Sequence, residues 1–101
     1  MITGFTIKHP NAVKAFEFDF SEDIPENDFL GDYTITILDS EGVDVTDDIL
    51  LGATIDTDKI TVEFQAGDDG QNYLVTVQVS LDLATTTPVR IIELRVRSTA
   101  V

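Results

Sequence analysis

A chain of 101 residues with 19 acidic and 6 basic side chains carries a formal net charge of −13 at pH 7. That length makes one domain with one hydrophobic core; burying roughly 60–70% of the unfolded surface leaves no depth for a large catalytic cleft. The charge argues against binding nucleic acid through phosphates, and the absence of cysteine excludes a disulfide framework or a thiolate metal site.

Residues 2–8, with Ile2, Phe5 and Ile7, read as a first strand or as an N-terminal arm spanning 1–9. His9-Pro10-Asn11 breaks it, because proline removes a ladder donor and restricts the residue before it. Across 13–20, Phe16, Phe18 and Phe20 alternate with Glu17 and Asp19, the period of a half-buried strand. Ser21 to Gly31 reads as a loop, with one helical turn capped by Ser21 over Glu22 and Asp23. Residues 32–38 return to strand through Tyr33, Ile35 and Ile37. Asp39-Ser40-Glu41-Gly42 is a turn, Val43 and Val45 continue briefly, and Ile49-Leu50-Leu51-Gly52 is a short apolar run.

After a turn at Asp56-Thr57-Asp58-Lys59, residues 59–65 and 72–83 are expected to pair as a β-hairpin. Ile60, Val62 and Phe64 alternate before the reversal; Tyr73, Val75, Val77, Val79, Leu81 and Leu83 alternate after it. Gly67 and Gly70 supply the backbone freedom for the reversal between them. Thr85-Thr86-Thr87-Pro88 connects to a closing strand over 89–97, with Ile92, Leu94 and Val96 inward and Glu93, Arg95 and Arg97 outward. About seven short strands with regular turn signals give the pattern of a sandwich or barrel, read as an all-β antiparallel sandwich with a jelly roll as the alternative. Met1-Ile2-Thr3-Gly4 shows no basic leader, and no apolar run is long enough for a membrane.

Candidate chemistry is sparse. His9 is the single histidine, and no nucleophile elbow, phosphate loop or His-Glu-x-x-His zinc motif occurs, so neither an enzyme nor a cofactor is expected. Asp44, Asp47, Asp48, Asp56, Asp58, Asp68 and Asp69 offer oxygens for calcium, but without EF-hand spacing, and aspartate is also a turn former. Tyr73, at the start of a strand after a glycine turn, matches a tyrosine corner, with Val75 where immunoglobulin domains place their second cysteine. Arg90, Arg95 and Arg97 supply three of the six positive charges. They guard a sheet edge or meet the acidic face of a partner.

Three segments carry a family resemblance: Lys8-His9-Pro10 followed by Val13, Phe16, Asp19, Phe20 and Ser21; Thr61-Val62-Glu63-Phe64 leading through Gly67 and Gly70 to Tyr73-Leu74-Val75-Thr76; and Arg90 with Glu93, Leu94, Arg95 and Val96. Together they resemble short immunoglobulin-like virion proteins of tailed bacteriophages. The resemblance implies a non-enzymatic structural role in the particle: capsid decoration or cement, a head–tail (neck) component, or a small tail or fibre module. It implies other virion proteins, capsid or neck and tail subunits, as partners, a homo-oligomer, synthesis in the host cytoplasm and residence in the virion. The reading from another class is an adhesion or carbohydrate-binding module, stabilised by calcium.

Overall fold

Alternation of apolar and polar residues dictates strands here, and the computed structural model, which describes residue 2 and residues 4–99, contains seven. They are β1 (Gly4–Lys8), β2 (Lys14–Asp19), β3 (Leu30–Leu38), β4 (Leu50–Asp56), β5 (Lys59–Phe64), β6 (Asn72–Leu81) and β7 (Val89–Val96). A 3₁₀ turn at Ser21–Asp23 and a one-turn helix, α1 (Thr46–Ile49), are the helical pieces among the described residues. One sheet has the order β1-β7-β6-β3 and the other β2-β5-β4. The orders β2-β5-β4 and β7-β6-β3 are those of strands B-E-D and G-F-C in an immunoglobulin sandwich. A jelly roll needs eight strands in two Greek keys, which this arrangement does not have.

The core lies between the sheets. Phe18, Phe20, Ile37, Ile60, Val62, Phe64, Val75, Val77, Ile92, Leu94 and Val96 form one cluster, with Ile49 of α1 packed among them. β6 is its spine, since every second residue from Tyr73 to Leu81 is buried. The short loop Thr57-Asp58 closes the β4–β5 hairpin, with Thr57 at a positive φ of 56°.

Several sequence expectations change. β5 and β6 do not pair: β5 lies between β2 and β4, β6 between β3 and β7, so residues 65–71 cross from one sheet to the other. A glycine-bearing reversal flanked by alternating strands reads the same locally whether the strands pair or face each other across a core. Leu83 lies beyond β6 and is exposed. The N-terminal arm is in part a sheet strand. β1 pairs parallel to β7, so the sandwich is not wholly antiparallel, and it buries Thr6 and Lys8 while Phe5 and Ile7 face outward. Ser21 does not cap the 3₁₀ turn; Phe20 occupies that position, and the Ser21 amide instead donates to Asp19 Oδ1 at 2.8 Å. Val43 and Val45 form no strand; an isolated bridge joins Asp44 to Leu38.

Candidate interaction surfaces

The 65–71 crossing is the most heavily tied segment of the chain. Ala66, Gly67 and Gly70 all have positive φ, at 54°, 91° and 84°. A Cβ on Gly67 would stand 2.8 Å from Val96 Cγ2, so the crossing needs glycine there for both conformation and space. The Tyr73 hydroxyl accepts a hydrogen bond from the Asp68 amide at 2.9 Å, which makes this a tyrosine corner in its bonding as well as its position. Val75, two residues on, is fully buried. Lys8 reaches the same corner from β1: its Nζ donates to the carbonyls of Ala66 (2.5 Å), His9 (2.8 Å) and Pro10 (3.3 Å). The side chain is 1% exposed, and burial pushes its pKa below the ordinary 10.5. Sequence reading missed this role because the apolar parity of Phe5 and Ile7 pointed the other face inward.

At the far end of β6, Asp28 does the converse. Oδ1 accepts from the amides of Phe29 (2.8 Å) and Leu83 (2.9 Å), and Oδ2 from that of Ala84 (2.9 Å). Burial pushes its carboxyl upward, but these backbone donors outweigh it and hold the pKa below 3.8. The staple brings Phe29 and Leu83 to the surface, 63% and 69% exposed.

The structure does not gather the three arginines on one face. Arg90 turns toward the second sheet, paired with Asp23 and with its guanidinium carbon 5.0 Å from the centre of the Phe20 ring. Arg95 lies outward, paired with Glu93 and 4.0 Å above Phe5. Arg97, one residue past β7, donates to the carbonyls of Gln71 and Val96 and to Asn72 Oδ1. Each guanidinium is therefore engaged by groups of its own chain.

The acidic loops serve turns. Asp44 Oδ1 accepts from the amide and hydroxyl of Thr46, and Asp69 Oδ1 from the amide of Ser98. Side-chain and backbone bonds from Thr46 lower the pKa of Asp44; bonds from Ser98 do the same for Asp69. Among the described residues no group of three or more carboxylates or histidines converges in a way that holds a metal ion. An open cleft of about 380 Å³ beside the corner is rimmed by Asp39, Glu41, Asp48 and Asp68 over a floor that includes Tyr73. His9 Nδ1 accepts from the Asn11 amide at 3.1 Å, a loop contact.

The two outer sheet faces differ in charge. On the four-stranded sheet the register aligns Ile7 with Arg95 and Asn72; Phe5 with Glu93, Leu74 and Leu38; Ile91 with Thr76 and Thr36; and Val89 with Gln78 and Thr34. Its outward charges within the strands are Glu93 and Arg95, which pair with each other, and Asp32 at the bulged end of β3. On the three-stranded sheet Glu17, Asp19, Asp56 and Glu63 stand outward with the single cation Lys59. A protein of strong net negative charge thus keeps one broad face nearly neutral, with its one unbalanced strand carboxylate, Asp32, at the far end of β3.

Residues 8–92 match the family model described as podophage GP4 fiber-tail adaptor protein gp77. The chain belongs to this family. Membership makes it a phage structural protein of a kind that interacts with other virion proteins. Lys8 opens the matched segment, whereas Arg95 and Arg97 lie outside it. A comparison with curated proteins gives no match. Among the described residues no helix of this family member is long and apolar enough to cross a membrane.

Proposed function

We propose that this protein is a bridging subunit of the podophage tail, holding a fibre to the tail tube by protein–protein contacts. The observation that carries the reading is the adaptor-family match, which spans 8–92 and so covers β2 to β6 and the first half of β7. A bridge needs two separate docking regions on a stiff body. The neutral face around Phe5, Leu74 and Leu38 lies toward the start of β6, and the Phe29–Leu83 surface lies beyond its end. Leu74 and Leu81 are seven residues apart on one strand, which separates the two regions by about 23 Å. The molecule is elongated, 44 × 26 × 21 Å. Family membership favours this place over capsid decoration or the neck.

The test is a phage carrying a disrupted gene for this chain. Particles are expected to assemble heads and tails, to lack fibres, and to regain them when the purified protein is added. Fibres retained without the protein, or its absence from purified wild-type particles, would overturn the assignment.

A further inference from the structure

An edge strand presents a row of unpaired N–H and C=O groups, and proteins guard such edges with bulges, charges or a covering segment. This sandwich has four edges. β3 carries a bulge between Leu30 and Tyr33 and is covered near Leu38 by the bridge to Asp44. β4 is bulged between Leu50 and Gly52. β2 holds three exposed charges, Lys14, Glu17 and Asp19. Among the described residues β1 has none of these protections. Its register runs unbroken from Gly4 to Lys8, residues 4–7 are uncharged, and the ammonium of Lys8 is drawn inward to the corner carbonyls. Phe5 and Ile7 stand outward beside the open edge, 51% and 42% exposed.

We propose that a second copy of this chain adds to that edge, β1 against β1, antiparallel about a two-fold axis at Thr6. Two observations select a copy over a foreign segment. A chain of net charge −13 repels its own copies over most of its surface, and residues 4–7 of β1 add no charge to that repulsion. The strand is also self-complementary. With Thr6 opposite Thr6, Phe5 of each copy faces Ile7 of the other on the outer side, giving two aromatic–β-branched pairs. Thr6 pairs with itself on the inner side, and Lys8 falls opposite Gly4, so no like charges meet. The same patch serves both copies, as closed two-fold symmetry requires. The product is one continuous eight-stranded sheet whose outer side doubles the neutral face. The inference rests on the edge itself and not on the adaptor assignment.

Sedimentation velocity of the purified full chain, from about 1 μM to about 1 mM, reads the association directly. The wild type is expected to show a reversible monomer–dimer equilibrium. Ile7→Lys and Phe5→Glu, both at exposed positions, are each expected to weaken it by about tenfold or more without moving the melting temperature. Mixing the two variants places a new glutamate opposite a new lysine in the proposed register and is expected to restore a heterodimer. A wild type that stays monomeric throughout, or a dimer indifferent to Ile7→Lys, overturns the proposal. Loss in both variants without restoration on mixing overturns the Thr6-centred pairing.

Discussion

The two ends of the sandwich are closed by opposite charges, each held by backbone alone. At the corner end the Lys8 ammonium is clasped by three carbonyls; at the far end the Asp28 carboxylate is clasped by amides of Phe29, Leu83 and Ala84. Neither has a counter-ion among its hydrogen-bond partners. Turns leave unpaired carbonyls in one place and unpaired amides in another, and a charge of the matching sign satisfies several at once, more strongly than neutral partners do. The corner end adds steric closure through Gly67 and Val96, whereas the far end is a single staple under an exposed apolar loop. The corner should therefore be the stiffer end and the far end the adaptable one, a useful asymmetry for a subunit that joins two partners.

That contrast breaks most sharply at Lys8. Lys8→Ala removes a buried side chain and leaves the carbonyls of Ala66, His9 and Pro10 without their donor; a loss of about 3 kcal/mol is expected in denaturant unfolding. A loss within the range of surface substitutions would show that solvent reaches those carbonyls. Next comes Gly67→Ala, where a positive φ and a contact with Val96 act together, for about 2 kcal/mol. Gly70→Ala, with a similar φ but nothing within 4 Å of its Cβ, isolates the conformational part at about 1 kcal/mol. Equal losses at the two glycines would remove the steric half of the corner argument.

Acid separates the ends further. The Asp28 pKa is lowered on folding, so the unfolded chain binds the proton more readily. Its stabilisation is complete above 3.8, the unfolded value, and is lost as pH falls through the lower folded value. Amide exchange around Leu83 and Ala84 should therefore quicken in acid before exchange at the Asp68 amide does, since that amide is held by the Tyr73 hydroxyl and not by a carboxylate. Asp28→Asn should abolish that difference in onset; simultaneous loosening of both ends in the wild type would argue against it. The smallest effect on stability is expected on the sheet faces. Thr76→Lys on the neutral face and Thr61→Lys on the acidic one should each change stability by less than about 0.5 kcal/mol. Only Thr76→Lys should prevent the protein from restoring fibres to particles that lack it. Equal impairment by both would mean that the neutral face is not a docking surface.

How far the sequence could be read differs between β6 and β1. In β6 the alternation from Tyr73 to Leu81 is long and unbroken, and the structure buries those residues. In β1 the same rule misassigns the face, because five residues are too few for parity to outweigh what surrounds them. The parallel place beside β7 and the bare carbonyls of the corner draw Lys8 inward, which forces Phe5 and Ile7 out. The Arg90 ion pair with Asp23 was equally hidden, since one partner lies on β7 and the other in the 3₁₀ turn, far apart in the chain.

Period-two patterning by itself determined that the chain is mostly strand, roughly where the strands run and, for the longer ones, which residues line the core, because side-chain direction in a strand is a local property. Which strands neighbour one another, where the crossing replaces the expected hairpin, which face stays nearly neutral and which edge lies open were decided only in the tertiary structure. Those features depend on groups far apart in sequence competing for the same backbone partners and the same dry space.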